Sequence, residues 1–226
     1  MKIKLISYSE PAGEMPADID DVQDLVAYCA RVSNPSNQTN TDTSEKLIRY
    51  LIKHQHWSPL EMVSACLEIE TTRDIARQIL RHRSFSFQEF SQRYADPTKE
   101  LDFVLREARL QDTKNRQNSI EMGVTLKDSL IVDEWKRRQV EIIQQVKESY
   151  EWAIRNGIAK EQARVILPEG NTISRLYMNG TIRSWLHYIQ LRSANGTQKE
   201  HREIALKCAE VIAKVFPMAK EFTEQE

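Results

Sequence analysis

The chain has 226 residues, 40% hydrophobic and 29% charged, with a net charge of −1, enough for one sizeable core and without a global field that would draw DNA or RNA. The three cysteines, Cys29, Cys66 and Cys208, are far apart, odd in number and include no Cys-x-x-Cys pair, which argues against a disulfide framework or a zinc site and for a reducing compartment. No apolar run has membrane-spanning length, and the opening MKIKLISYSE does not read as a secretory leader, so the expected compartment is the cytoplasm (the host's, if the chain is viral).

Ile3, Leu5 and Ser7 alternate with Lys2, Lys4 and Ile6, a short first strand. Asp20 to Val32 reads as a helix with Val22, Leu25, Val26 and Cys29 on one face, and Asn34 to Thr43 as a polar loop. Ser44 to Lys53 is a second helix, with Ser44 as its cap. Val63, Ala65, Leu67 and Ile69 alternate with polar neighbours and predict a half-buried strand. Thr71 or Thr72 caps the next helix, which buries Ile75, Ala76, Ile79 and Leu80 and turns Arg73, Arg77 and Arg81 elsewhere. A solvated face and a ligand role stand side by side for Arg73 and Arg77.

Leu101, Phe103 and Leu105 predict a further strand, and residues 109 to 124 a polar surface loop. Val132 to Ala153 form a long amphipathic helix stopped at Gly157. A short helix from Lys160 to Leu167 ends at Pro168; a strand from Ser174 to Met178 and helices from Thr181 to Arg192 and Thr197 to Phe216 complete the chain. The expected fold is α+β, a single domain over residues 1–226, with a small antiparallel sheet packed by several helices including one long one. The tryptophans Trp135, Trp152 and Trp185 read as core or interface residues, and His201 as an exposed helix residue. His54 and His56 have no third ligand at metal spacing, so no metal site is expected.

The densest chemistry lies in RHRSFSFQEFSQRY, from Arg81 to Tyr94. Guanidinium groups bind phosphate through paired hydrogen bonds, so this run reads as a site for a small anionic ligand. Arg81-His82-Arg83, followed after seven residues by Ser91, resembles the signature of flavin-dependent thymidylate synthases, and Ser86, Glu89, Arg93 and Tyr94 fall in step with it. Gln88 stands where that family usually has asparagine. The segments His54-Gln-His56-Trp-Ser58-Pro59-Leu-Glu61, Ala163-Arg164-Val-Ile-Leu-Pro168, Arg183-Ser-Trp185-Leu-His187 with Arg192, and Gln198-Lys-Glu200 are similar to other family segments, in one unbroken order from about Tyr28 to Phe216. A second departure lies at Gly196, near which many relatives carry histidine.

The resemblance implies reductive methylation of dUMP to dTMP. The carbon comes from 5,10-methylenetetrahydrofolate and the hydride from FAD reduced by NADPH. It implies a dUMP site of Gln78, Ile79, Leu80, Arg81, Glu89, Phe90, Ser91, Gln92, Arg93, Arg164 and Arg192. Arg192 would be the catalytic cation facing the uracil ring, and Arg93, Arg164 and Ser91 the phosphate grip. The implied FAD site is Ser58, Arg81, His82, Arg83, Glu89, Thr181, Ile182, Arg183 and His187, with His56 a candidate flavin or folate contact. It further implies a homotetramer with sites shared between subunits, giving the long helix a partner. No cysteine lies in these motifs, so no enzyme thiolate is expected as nucleophile. Two other readings stand beside this one: a non-catalytic nucleotide-binding protein on the same scaffold, and a nucleic-acid binder, against which the net charge of −1 argues.

Overall fold

A computed structural model describes residues 1–223. Its centre is an antiparallel sheet in the order β1 (Lys2–Tyr8), β2 (Ser64–Thr72), β6 (Ile173–Thr181), β3 (Ser86–Glu89). Between β1 and β2 come α1 (Val22–Ala30) and α2 (Ser44–Lys53); α3 (Arg73–Ile79) joins β2 to β3. After β3 follow α4 (Pro97–Glu100), the hairpin of β4 (Arg109–Gln111) and β5 (Ser119–Glu121), the long α5 (Leu126–Arg155) and the short α6 (Lys160–Ala163). Two helices, α7 (Ile182–Ser193) and α8 (Lys199–Ile212), follow β6. No described helix is long and apolar enough to cross a membrane.

Period-two patterning makes the sheet two-faced. Ala65, Leu67 and Ile69 of β2 and Leu176 and Met178 of β6 point into a core shared with Ile75 and Ile79 of α3, Trp185 and Ile189 of α7, and Ile204 and Cys208 of α8. The other face carries a cross-strand polar ladder. Lys4 pairs with Glu68 at 3.4 Å, Arg175 with Glu70 at 3.0 Å, and Tyr177 donates to Glu68 at 3.0 Å, each across a matched register.

The two central strands run straight into helices. Thr72 ends β2 and precedes Arg73; Thr181 ends β6 and caps α7, its hydroxyl accepting from the Ser184 N–H at 3.2 Å. Gly180 sits just before that junction because Phe85 lies on it: a Cβ there would overlap the Phe85 ring. Phe85 packs edge-on against Trp185 with centroids 4.9 Å apart, and Trp185 donates to the Ala65 carbonyl at 2.9 Å.

The structure departs from expectation at several places. Residues 101–106 form no strand, only a bridge from Phe103 to Thr172, and Asp102 has φ +69°. Side chains satisfy this backbone in place of a ladder. The buried Gln139 amide of α5 accepts from Arg106 N–H at 2.8 Å and donates to Arg106 C=O at 2.9 Å, and Asn171 donates to Val104 C=O at 2.9 Å. The stretch 109–124, expected as a loop, contains the β4–β5 hairpin. Ser44 does not cap α2; it is the first helical residue, buried, after Thr43. Leu80 is only partly buried, whereas Arg73 is buried, 3.8 Å from Glu89 and 3.7 Å from Glu169. Trp185 is core, while Trp135 and Trp152 are exposed on α5. All three thiols are free; Cys208 is buried and Cys29 and Cys66 half-buried.

Replacing Gly180 with Ala should destabilise the protein by about 1–3 kcal/mol through overpacking against Phe85. Urea unfolding measures this, and adding Phe85→Leu should restore part of the loss. Unchanged stability in Gly180→Ala would show that the ring can move aside freely.

Candidate active site

The Arg81-His82-Arg83 run is the turn between α3 and β3. The turn divides its side chains between two sides: His82 and Phe85 are half-buried, while Arg81, Arg83 and Ser84 are exposed. One stripe of α7 holds the inward side. Ser184 Oγ donates to the Ser84 carbonyl at 3.2 Å, the Tyr188 ring meets His82 edge-on at 4.9 Å, and Arg192 Nε donates to His82 Nε2 at 2.9 Å. Gln88, at the place of the family's asparagine, lies in β3 opposite Tyr177, in regular strand pairing.

Beneath the turn runs a buried polar chain. Tyr188 Oη and His201 Nε2 are 3.1 Å apart, and His201 Nδ1 and Gln78 Oε1 are also 3.1 Å apart. Gln78 Nε2 donates to Gln198 Oε1 at 2.8 Å, and Gln198 Nε2 to Glu200 at 3.0 Å. Glu200 is held by Arg109 of the hairpin and by Arg106 at 3.3 Å, and Arg106 also reaches Asp74 at 2.6 Å. His201 is fully buried, which corrects the expectation of an exposed residue. The signal was present in the sequence: His201, Ile204, Ala205 and Cys208 share one helical stripe, all buried. Tyr188 lies inside the Arg183-to-Arg192 segment that resembles the family, with no role assigned to it, and the two arginines of the Glu200 cluster lie in no motif.

Burial depresses both imidazoles, with the Arg192 charge adding to it, placing His82 at about 4 and His201 at about 3. Both are neutral near pH 7, so Arg192 is the cation of this cluster. Burial raises the Glu200 carboxyl, but Arg109 and Arg106 outweigh it and the group stays ionised.

The other expected residues fall into two further groups. In one, Arg93 lies 3.4 Å from Glu161 and Lys160 donates to the Tyr94 carbonyl at 2.9 Å, which sets Arg93 beside the turn that carries Arg164. Glu89 accepts from Ser174 at 2.8 Å and faces Arg77 at 3.5 Å, and Ser91 Oγ accepts from the Arg93 N–H at 3.4 Å. Phe90 is part-exposed; Gln92 is buried with its Nε2 unpartnered. In the other group, Arg183 pairs with Glu61 and His187 meets Trp57 edge-on at 4.4 Å, beside Ser58 and below Thr181. The side chains of Ile79 and Ile182 are committed to the core. His56 is exposed near His54, their rings 6.3 Å apart. Gly196 has φ +94° with open space around it, so backbone conformation is what favours glycine there.

The sheet positions arginines and neutral imidazoles around one helix, and comparison with known proteins gives this arrangement a family. The sequence model of the thymidylate synthase complementing protein family matches residues 15–218, and the chain belongs to that family. It is 47% identical to a probable flavin-dependent thymidylate synthase of Paramecium bursaria Chlorella virus 1 and 47% identical to the flavin-dependent thymidylate synthase of Synechocystis, covering 96% of each chain in both cases. Its fold matches the UMP/dUMP methylase PolB of Streptomyces cacaoi bound with 5-Br dUMP, with a TM-score of 0.75, 25% identity, and coverage of 98% of this chain and 93% of that one.

The depressed imidazoles predict a stability slope. A histidine with a lower pKa folded than unfolded takes up protons on unfolding, so stability falls as pH drops below the ordinary 6.5 and continues to fall toward about 4 and about 3. Urea unfolding between about pH 7 and about pH 5 should show that loss. His82→Gln should flatten the slope, and an unchanged slope would mean that His82 is not held neutral.

Proposed function

We propose that this protein is a flavin-dependent thymidylate synthase that converts dUMP to dTMP, with 5,10-methylenetetrahydrofolate as carbon donor, FAD as redox cofactor and NADPH as reductant. The observation that carries the reading is the meeting of His82, in the Arg81-His82-Arg83 run, with Arg192, 110 residues away. The relatives' names and the dUMP analogue bound to the matched fold agree with it.

The donor set suits a dinucleotide with a pyrophosphate. Arg81 and Arg83 are exposed and, among the described residues, in no ion pair, and Arg183 Nε is buried without a hydrogen-bond partner. Ser58, Arg81, His82, Arg83, Glu89, Thr181, Ile182, Arg183 and His187 would hold FAD. When bound and reduced, FAD supplies a hydride.

The chain's own residues do the rest. Arg93, Arg164 and Ser91 hold the nucleotide phosphate. Arg192 presents a planar guanidinium cation. His82 engages only Nε, so the Nη groups remain for the N3–O2 side of uracil. A cation there stabilises the negative charge that makes C5 nucleophilic. Burial raises the pKa of all three thiols and none lies in the site motifs, in keeping with a route that needs no enzyme thiolate. The exposed Leu130, Ile131, Val140 and Ile142 on α5 support a homotetramer in which neighbouring subunits complete each site.

The purified protein should be yellow, bleach with NADPH, and release tritium from C5-labelled dUMP only when the folate is present. Arg192→Ala should lower turnover on the order of 100-fold or more while flavin absorbance is kept. Retained turnover in that variant would refute the role of Arg192, and a colourless protein that takes up no FAD would sink the whole reading.

A further inference from the structure

We propose that His201 is a positioning residue that locks the polarity of the Gln78 amide, leaving one fixed N–H and one fixed lone pair for the nucleotide; this rests on the nucleotide-binding reading above and deepens it.

The polarity follows from one end of the buried chain. Glu200, ionised against Arg106 and Arg109, can only accept. The Gln198 group facing it at 3.0 Å is therefore the NH2, which turns Gln198 Oε1 toward Gln78. Gln78 must present its own NH2 to that oxygen at 2.8 Å, so Gln78 Oε1 faces His201 at 3.1 Å. A carbonyl oxygen cannot donate, hence His201 carries its proton on Nδ1. Its Nε2 is then an acceptor, and the Tyr188 hydroxyl at 3.1 Å donates to it. Along this chain each group's direction forces the next.

The Gln78 amide has two N–H groups and two lone pairs. The chain consumes one of each. The half-buried Gln78 keeps the others, and with His201 in place it cannot turn over and present them reversed. Arg192 is tied to the same hub through His82, whose ring lies 4.9 Å from Tyr188 and 6.3 Å from His201. His201 touches neither nucleotide nor flavin in this scheme; it acts through Gln78.

The test compares His201→Phe with His201→Asn in FAD-loaded enzyme. Phe fills the volume but cannot donate to Gln78, whereas the Asn amide can place an N–H where Nδ1 stood. Calorimetric titration with dUMP should show an about tenfold or greater rise in Kd for His201→Phe, with flavin absorbance intact. His201→Asn should stay within about threefold of the parent. Equal weakening in both variants, or no weakening in His201→Phe, overturns the proposal. Nitrogen-15 NMR of the unaltered protein gives a second readout that survives a folding failure of either variant: an Nδ1–H tautomer at His201 supports the relay, and an Nε2–H tautomer overturns it. If the parent enzyme shows that tautomer yet does not bind dUMP, the nucleotide reading fails, and the positioning role with it.

Discussion

A buried imidazole must find a partner for each nitrogen, and His201 finds one on each of two other helices. Gln78 comes from α3 and Tyr188 from α7, while His201 itself belongs to α8. An unsatisfied buried polar group costs about 1–3 kcal/mol, so any sliding of one helix against the others is penalised several times over. Apolar packing alone tolerates such sliding far better. Once α3 is keyed in this way, its end is fixed above α7. The Arg81–Arg83 turn follows directly from that end, and β3 follows from the turn. The placement of the most distinctive run in the chain thus descends from a polar contact beneath it.

The charges around this hub are sorted by burial. His82 and His201 lie close to Arg192, and burial together with that cation keeps both neutral. The charge beside these two rings is the Arg192 guanidinium, whose Nε–H is accepted by His82. Farther out, Arg93 pairs with Glu161, and Arg77 with Glu89 and Glu169, at 3.4 to 3.7 Å. Exposed pairs of this kind contribute roughly 0–1 kcal/mol. Pairs this weak are exchanged for a stronger anionic partner at small cost.

Much of the architecture is legible in hydrophobic periodicity. The strand over Ala65, Leu67 and Ile69, the long helix ending at Gly157 and the α7–α8 pair all follow from period two or period 3.6. The failure at Leu101 to Arg106 has a definite cause: alternation was present, but the partner of that backbone is the Gln139 side chain of a distant helix, and no local pattern announces it. Arg73 fails similarly, because its burial depends on Glu89 and Glu169 arriving from elsewhere. The motif arginines, histidines and glutamate were readable by resemblance. Their grouping was not, since it depends on which helix stripe each residue occupies. His201 was the reverse case: its stripe placed it in the core, but a histidine at such a position has meaning only once Gln78 and Tyr188 are beside it.

Helix α7 shows why that grouping matters. Ser184, Tyr188 and Arg192 recur every four residues and hold the Arg81–Arg83 turn. Arg183 and His187 lie on the adjacent stripe and meet Glu61 and Trp57. At 1.5 Å per residue, Arg183 and Arg192 are separated by about 14 Å along one rigid axis. Arg183 and Arg192 are therefore spaced by a single element, with no loop between them. The Thr181 cap and the close seat of Phe85 on Gly180 fix where that element begins. A change at this junction would shift Arg183 and Arg192 together and keep their spacing. The helix sets the distance between Arg183 and Arg192, and the polar chain through Tyr188, His201 and Gln78 ties that helix to α3 and α8.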